Sequence, residues 1–153
     1  MEQKKKRTKV YVIDDSLTFR AMMDTLVGQD EDLEICGMAA DAETALEDIE
    51  WYQPDIILLD QTLPGMDSLS FLDALKARWS GSHVVMISMS GEDGMHVCQM
   101  ALGLGAVACF DKSRLIRNSR EFITLMDEIR DGEIHRDWHD GKAVTLGAPE
   151  AEV

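Results

Sequence analysis

Apolar residues gather in five short runs separated by longer stretches of helical period. The runs are Val10 to Ile13, Leu33 to Ala40, Ile56 to Leu59, Val84 to Ile87 and Val107 to Phe110. Their near-continuous apolar character is that of strands buried on both faces of a parallel sheet, because a strand with one wet face alternates. Between the runs lie amphipathic stripes: Phe19, Met22, Met23, Leu26 and Val27; Ala42, Ala45, Leu46 and Ile49; Leu69, Leu72, Leu75 and Trp79; Met95, Val97, Cys98, Ala101 and Leu102; Phe122, Ile123, Met126 and Ile129. Asp41 has the place of an N-cap for the second stripe, and Asn118 with Glu121 has capping-box spacing before the last. Five alternations predict an α/β fold with five parallel strands, right-handed crossovers and five helices on the two faces.

At 153 residues the chain has room for one core, and its 45% apolar content is enough to fill it. The boundaries read as a basic arm at 1–8, a folded unit at 9–131 and an extension at 132–153. The net charge of -14 argues against binding nucleic acid or an anionic membrane surface. Its distribution says more. Four bases and no acid fall between Lys112 and Arg120, whereas fourteen acids and no base fall between Ala21 and Leu75. Cys36, Cys98 and Cys109 are scattered without a C-x-x-C pair and read as reduced core thiols of a cytoplasmic protein. No apolar run is long enough to span a membrane, so membrane insertion is not expected.

Ligands of open α/β sheets bind beyond the carboxyl ends of the strands. There the first run closes in Asp14-Asp15-Ser16, the third in Asp60, the fourth in Ser88 and the fifth in Asp111-Lys112. Crowded carboxylates need a neutralising cation, and an all-oxygen set suits Mg2+, which shares its sphere readily with phosphate oxygens. With Lys112 as a compact positive charge and Ser88 as a hydroxyl donor, the set has the chemistry of a phosphoryl site with Asp60 as nucleophile.

Val12-Ile13-Asp14-Asp15-Ser16, then Leu58-Leu59-Asp60-Gln61-Thr62-Leu63-Pro64-Gly65-Met66-Asp67, then Met86-Ile87-Ser88, then Gly105-Ala106 and Asp111-Lys112 resemble the receiver domain of two-component response regulators. The resemblance implies a flavodoxin-like (CheY-like) doubly wound sheet of strand order 2-1-3-4-5. It implies a phosphoryl group accepted by Asp60 from the phosphohistidine of a sensor histidine kinase or phosphotransfer protein. Mg2+ would be held by Asp15, Asp60 and the backbone carbonyl of Thr62, with Asp14 holding a metal-bound water. Lys112 would pair with phosphoryl oxygens, and Ser88 would turn inward to the acyl phosphate and remodel the face of the fourth helix, fifth strand and fifth helix. Thr62 and Ser90 would tune autodephosphorylation.

Three positions depart from the family pattern. Ser113 stands where a cis-linked proline is usual, which favours a trans Lys112–Ser113 bond. Cys109 occupies the place of the aromatic switch residue, with Phe110 one position on. Ser68 replaces a common glycine.

The expected role is a stand-alone, non-enzymatic switch whose output is a contact with a protein target or onward phosphotransfer, with a homodimer also allowed. The segment Lys112 to Arg120 predicts an acidic patch on the target. Two alternatives stand beside it. One is a haloacid-dehalogenase-type phosphohydrolase, which prefers a D-x-D pair on the first strand where this chain has Asp60 and Thr62 on the third. The other is a degenerate receiver that binds without being phosphorylated. The helical spacing of His135 and His139 would suit a metal but lacks further ligands nearby.

Overall fold

A computed structural model describes residues 6–133 and the short strand Thr145–Leu146. The elements in chain order are β1 (Thr8–Ile13), α1 (Leu17–Gly28), β2 (Leu33–Ala39), α2 (Ala42–Tyr52), β3 (Ile56–Asp60), α3 (Ser68–Arg78), β4 (His83–Ser88), α4 (Glu92–Gly103), β5 (Ala108–Asp111), α5 (Lys112–Arg117), α6 (Ser119–Arg130) and β6 (Thr145–Leu146). All pairings are parallel, in the order β2-β1-β3-β4-β5-β6. The expected order 2-1-3-4-5 is present within it.

Each central strand serves two cores, which is why its sequence does not alternate. Tyr11, Ile13, Ile57, Leu59, Val84, Met86 and Cys109 point to the layer formed with α2, α3 and α4. Val10, Val12, Ile56, Leu58, Val85, Ile87, Ala108 and Phe110 point to the layer formed with α1, α5 and α6. β1 and β2 slip register between Val10 and Tyr11, and Gly37 lies opposite Tyr11. A Cβ at Gly37 would sit 2.8 Å from the Tyr11 ring, so the glycine makes room for that buried side chain.

The helices begin where side chains satisfy the first free N–H groups. Ser16, Asp41, Asp67 and Asn118 accept from Phe19, Thr44, Ser70 and Glu121; each such cap stabilises its helix by about 1 kcal/mol. The capping box at Asn118 is half-formed, because the Glu121 carboxylate accepts from Arg114 Nε at 3.0 Å instead of turning back.

Three expectations are corrected. A sixth helix, α5, occupies the basic segment after β5. Asp111 caps it through the N–H groups of Ser113 and Arg114, and Asn118, at φ -140° and ψ 75°, separates it from α6. A sixth strand pairs Thr145 and Leu146 with Cys109 and Phe110, using the backbone groups that an edge strand leaves unpaired. The cysteines are not all reduced: the turn from α4 into β5 brings Cys98 and Cys109 together in a disulfide, and Cys36 is free.

Thr8, counted with the basic arm, opens β1, and the Nζ of the next residue, Lys9, donates to the Tyr52 carbonyl at 2.7 Å. The Lys112–Ser113 bond is trans, as no cis bond occurs among the described residues. No helix among them is long and apolar enough to cross a membrane. His135 and His139 lie outside the described residues.

Candidate functional site

The carboxyl ends of β1 and β3 bring three carboxylates to one point. Asp14, Asp15 and Asp60 each offer an oxygen, and these oxygens lie within 4.8 Å of one another. Asp14 and Asp60 are buried and Asp15 is exposed, so the cluster opens outward through Asp15. Asp14 is fixed from three directions. Its N–H donates to Ala39, its carboxylate accepts from Ser16 N at 2.8 Å, and its carbonyl accepts from Arg20 Nη1 at 2.7 Å.

Lys112 reaches the cluster from the end of β5. Its Nζ is 2.8 Å from Asp14 Oδ2 and 3.5 Å from Asp60 Oδ1, and lies 4.4 Å over the Phe19 ring. Burial opposes the ammonium charge, but the two carboxylates outweigh it and hold the lysine above its ordinary pKa. Asp60 moves further: burial, reinforced by the neighbouring charge of Asp14, pushes its carboxyl up to about 6 against the pull of Lys112. Most of this rise is lost solvation, with the Asp14 charge second, and Lys112 offsets only part of it.

The donor set therefore fits a hard divalent cation, being all oxygen, partly open and short of positive charge. The backbone at Asp60 is held from the far side. The buried Ser68 hydroxyl donates to the Asp60 carbonyl and reaches the Gln61 carbonyl at 3.1 Å. The departure from glycine at this position thus adds a hydrogen bond beneath the site.

Other predicted residues are placed around the cluster. The Ser88 hydroxyl donates to the Phe110 carbonyl at 3.5 Å, directed across to β5. Thr62 is exposed, with its hydroxyl 3.2 Å from Met89 Sδ. Asp111 belongs to a separate network: Ser90 Oγ donates to its Oδ2 at 2.8 Å, Ser113 Oγ donates to its Oδ1 at 2.6 Å, and the two serine oxygens are 3.1 Å apart. Burial would raise the Asp111 carboxyl, but these hydroxyls and the α5 backbone hold it below its ordinary value. Ser90 and Ser113 thereby tie the loop after β4 to the start of α5.

Sequence reasoning passed over several contributors. Phe19 carried only the signature of a core stripe. Arg20 stood next to it without a motif. Gln61, whose Oε1 accepts from Met89 N at 2.8 Å, and Glu43, whose Oε1 accepts from Met66 N at 2.8 Å, brace the loops on either side. Only Ser68 had a signal in the sequence, as a departure from a family pattern.

The sequence profile of the response regulator receiver domain matches residues 10–123. The chain is 43% identical over 108 residues to protein-glutamate methylesterase/protein-glutamine glutaminase 2 of Shewanella oneidensis, a match covering 70% of this chain and 30% of that protein. A corresponding protein of Burkholderia pseudomallei is 37% identical over 115 residues, covering 75% of this chain and 31% of its own. The chain thus spans about 30% of the length of these curated relatives. Among solved structures, the response regulator domain of Thermotoga maritima CheB superposes with a TM-score of 0.71 at 25% identity, covering 82% of this chain and 96% of that one. The signal receiver domain of the putative response regulator NarL from Mycobacterium tuberculosis gives 0.67 at 25% identity, covering 82% and 98%. With the profile spanning most of the described fold and the acidic cluster at the strand ends, the chain belongs to the response regulator receiver domain family.

Proposed function

We propose that this receiver, taken as residues 9–131 with flanking segments 1–8 and 132–153, accepts a phosphoryl group on Asp60 from the phosphohistidine of a sensor kinase or phosphotransfer protein. The observation that supports this most is Lys112 Nζ lying between Asp14 and Asp60 beside three clustered carboxylates. An Asp60 oxygen attacks phosphorus, the phosphorus–nitrogen bond breaks, and the donor imidazole leaves with the electron pair and takes up a proton. Lys112 exchanges part of its contact with Asp60 for the phosphoryl oxygens. Asp14, Asp15, Asp60 and the Thr62 carbonyl would hold Mg2+, which supplies the positive charge that the carboxylates and the incoming phosphoryl group lack. Ser88, now on the Phe110 carbonyl, turns to the acyl phosphate. Thr62 and Ser90 flank the site and set water access.

Output is a protein contact through the surface of α4, β5 and α6, the helix expected as the fifth, together with the basic α5, with an acidic patch on the target. Charge reversal at Arg114, Arg117 and Arg120 is expected to weaken that contact and remove its salt dependence. The 43% identity to about 30% of a methylesterase supports one specific second reading, in which this receiver controls a protein-glutamate methylesterase activity. Methylesterase rates measured with and without the phosphorylated chain separate this from an unrelated target.

The test of the central claim is incubation with acetyl phosphate, or beryllofluoride, plus Mg2+. One stoichiometric adduct is expected, absent in Asp60→Asn. Multiple turnover on a phosphomonoester would indicate a phosphohydrolase, and no adduct on the native chain would leave a receiver that acts by binding alone.

A further inference from the structure

We propose that Cys98 and Cys109 form a reversible thiol–disulfide couple that gates the passage of the signal from Asp60 to the surface of α4 and β5. The inference rests on Asp60 being the phosphoacceptor.

The two cysteines are 11 residues apart, with Cα atoms 6.0 Å apart, and their bond joins the body of α4 to β5. Both are buried, in the same apolar layer as Met86, Ala101 and Ala106. Without the bond α4 is weakly held at its start. Its N-cap, Gly91, sits at φ 101° and offers no side-chain cap, and Gly94 in the first turn lowers helix propensity further. The covalent tether therefore adds a fixed point to a helix whose start has acidic residues but no side-chain cap.

The tether's position gives it a role in transmission. Cys109 immediately precedes Phe110, whose carbonyl accepts from Ser88, and it pairs in register with Met86 on β4. Asp111, two residues on, holds Ser90 of the loop that leads into α4. When Ser88 leaves the Phe110 carbonyl for a phosphoryl group, the change passes through β5 and this loop to α4, and the disulfide pins one to the other.

The reagent class is a low-molecular-weight disulfide. One cysteine thiolate attacks it and breaks its sulfur–sulfur bond, releasing one thiol and leaving a mixed disulfide. The second cysteine thiolate then displaces the remaining thiol. The protein loses two protons and two electrons, and the small disulfide becomes two thiols; a dithiol reductant reverses the sequence. Because both sulfurs are buried, exchange requires α4 to part from β5, so the same motion carries the signal and exposes the couple.

The full chain, treated with oxidised glutathione or with dithiothreitol, is denatured and alkylated to count thiols. One labelled cysteine, Cys36, is expected after oxidation and three after reduction. Beryllofluoride with Mg2+ is then titrated, with amide NMR of residues 89–111 as the conformational readout. The reduced chain is expected to respond through α4 and β5. The oxidised chain should bind about 10-fold more weakly, with shifts confined to the site, as a typical coupling between sites allows. Cys98→Ala and Cys109→Ala, two separate routes to a chain without the bond, should behave as reduced under both treatments. Three labelled thiols after oxidation would overturn the couple. Equal binding and equal α4 responses in both redox states would overturn the gating alone. No adduct in either state, with the one-thiol count intact, would overturn the phosphoacceptor reading and the gating that depends on it.

Discussion

Asp60 is a carboxylate that the fold makes uncomfortable. Burial and the charge of Asp14 raise it to about 6, and Lys112, shared with Asp14, relieves it only in part. A carboxyl whose pKa is higher in the fold than in the unfolded chain favours folding while it is protonated. That contribution is complete below the unfolded value of 3.8 and is lost as pH rises through about 6. Asp60→Asn is uncharged at every pH and keeps the shape of the side chain. The metal-free variant is therefore expected to be more stable than the parent at pH 7.5 by about 2 kcal/mol, a rise of about 5 °C in Tm, and to match it near pH 4. Thermal melts in chelator at the two pH values check this, and a variant less stable than the parent at pH 7.5 would contradict it. Ser68 shows the opposite economy, since its buried hydroxyl ties the Asp60 carbonyl to the start of α3. Ser68→Ala is expected to cost about 1 kcal/mol by urea denaturation, the usual net worth of one such bond.

At the scale of elements, α4 is where local sequence and tertiary structure disagree most. Its capping signal is missing, and a Cβ on Gly94 would come within 1.7 Å of the Met89 carbonyl oxygen. The glycine lets the first turn of the helix lie against the backbone that leaves β4. Alanine raises helix propensity by about 1 kcal/mol, yet here it must push the loop away from Gln61, whose side chain holds Met89 N. Gly94→Ala is expected to lower stability and to broaden or shift the amide signals of residues 88–91, whereas a stabilised protein with unmoved loop signals would show that the contact is soft. Other elements were easier to read. Strands buried on both faces announce themselves as apolar runs, and Asp41 and Asn118 announce helix starts. α5 has six residues, too few for a periodicity, and its cap, Asp111, looked like part of the acidic site. The Cys98–Cys109 bond had no spacing signature, because the pairing comes from the path of α4 back onto β5.

For the whole molecule, the sequence disclosed which groups meet at the strand ends but not their balance. Asp14, Asp15, Asp60 and Lys112 were readable because parallel strands deliver their last residues to one edge. The supporting contacts of Arg20, Phe19 and Gln61 were not, since each depends on side-chain direction across elements. Three carboxylates meet at this edge against the one ammonium of Lys112, a deficit of positive charge that a divalent cation would correct. Binding to the folded chain alone then stabilises it by linkage. At pH 7.5, with free Mg2+ at a hundred times its dissociation constant, the gain is about 2.7 kcal/mol. Protons compete for Asp60 below about pH 6, so affinity falls about tenfold by pH 5, and the same Mg2+ concentration is expected to give only about 1.4 kcal/mol. Melts with and without Mg2+ at both pH values measure the difference. A gain that is equal at the two pH values would remove Asp60 from the cation site, and no gain at pH 7.5 would mean that the positive charge completing this edge comes from another source.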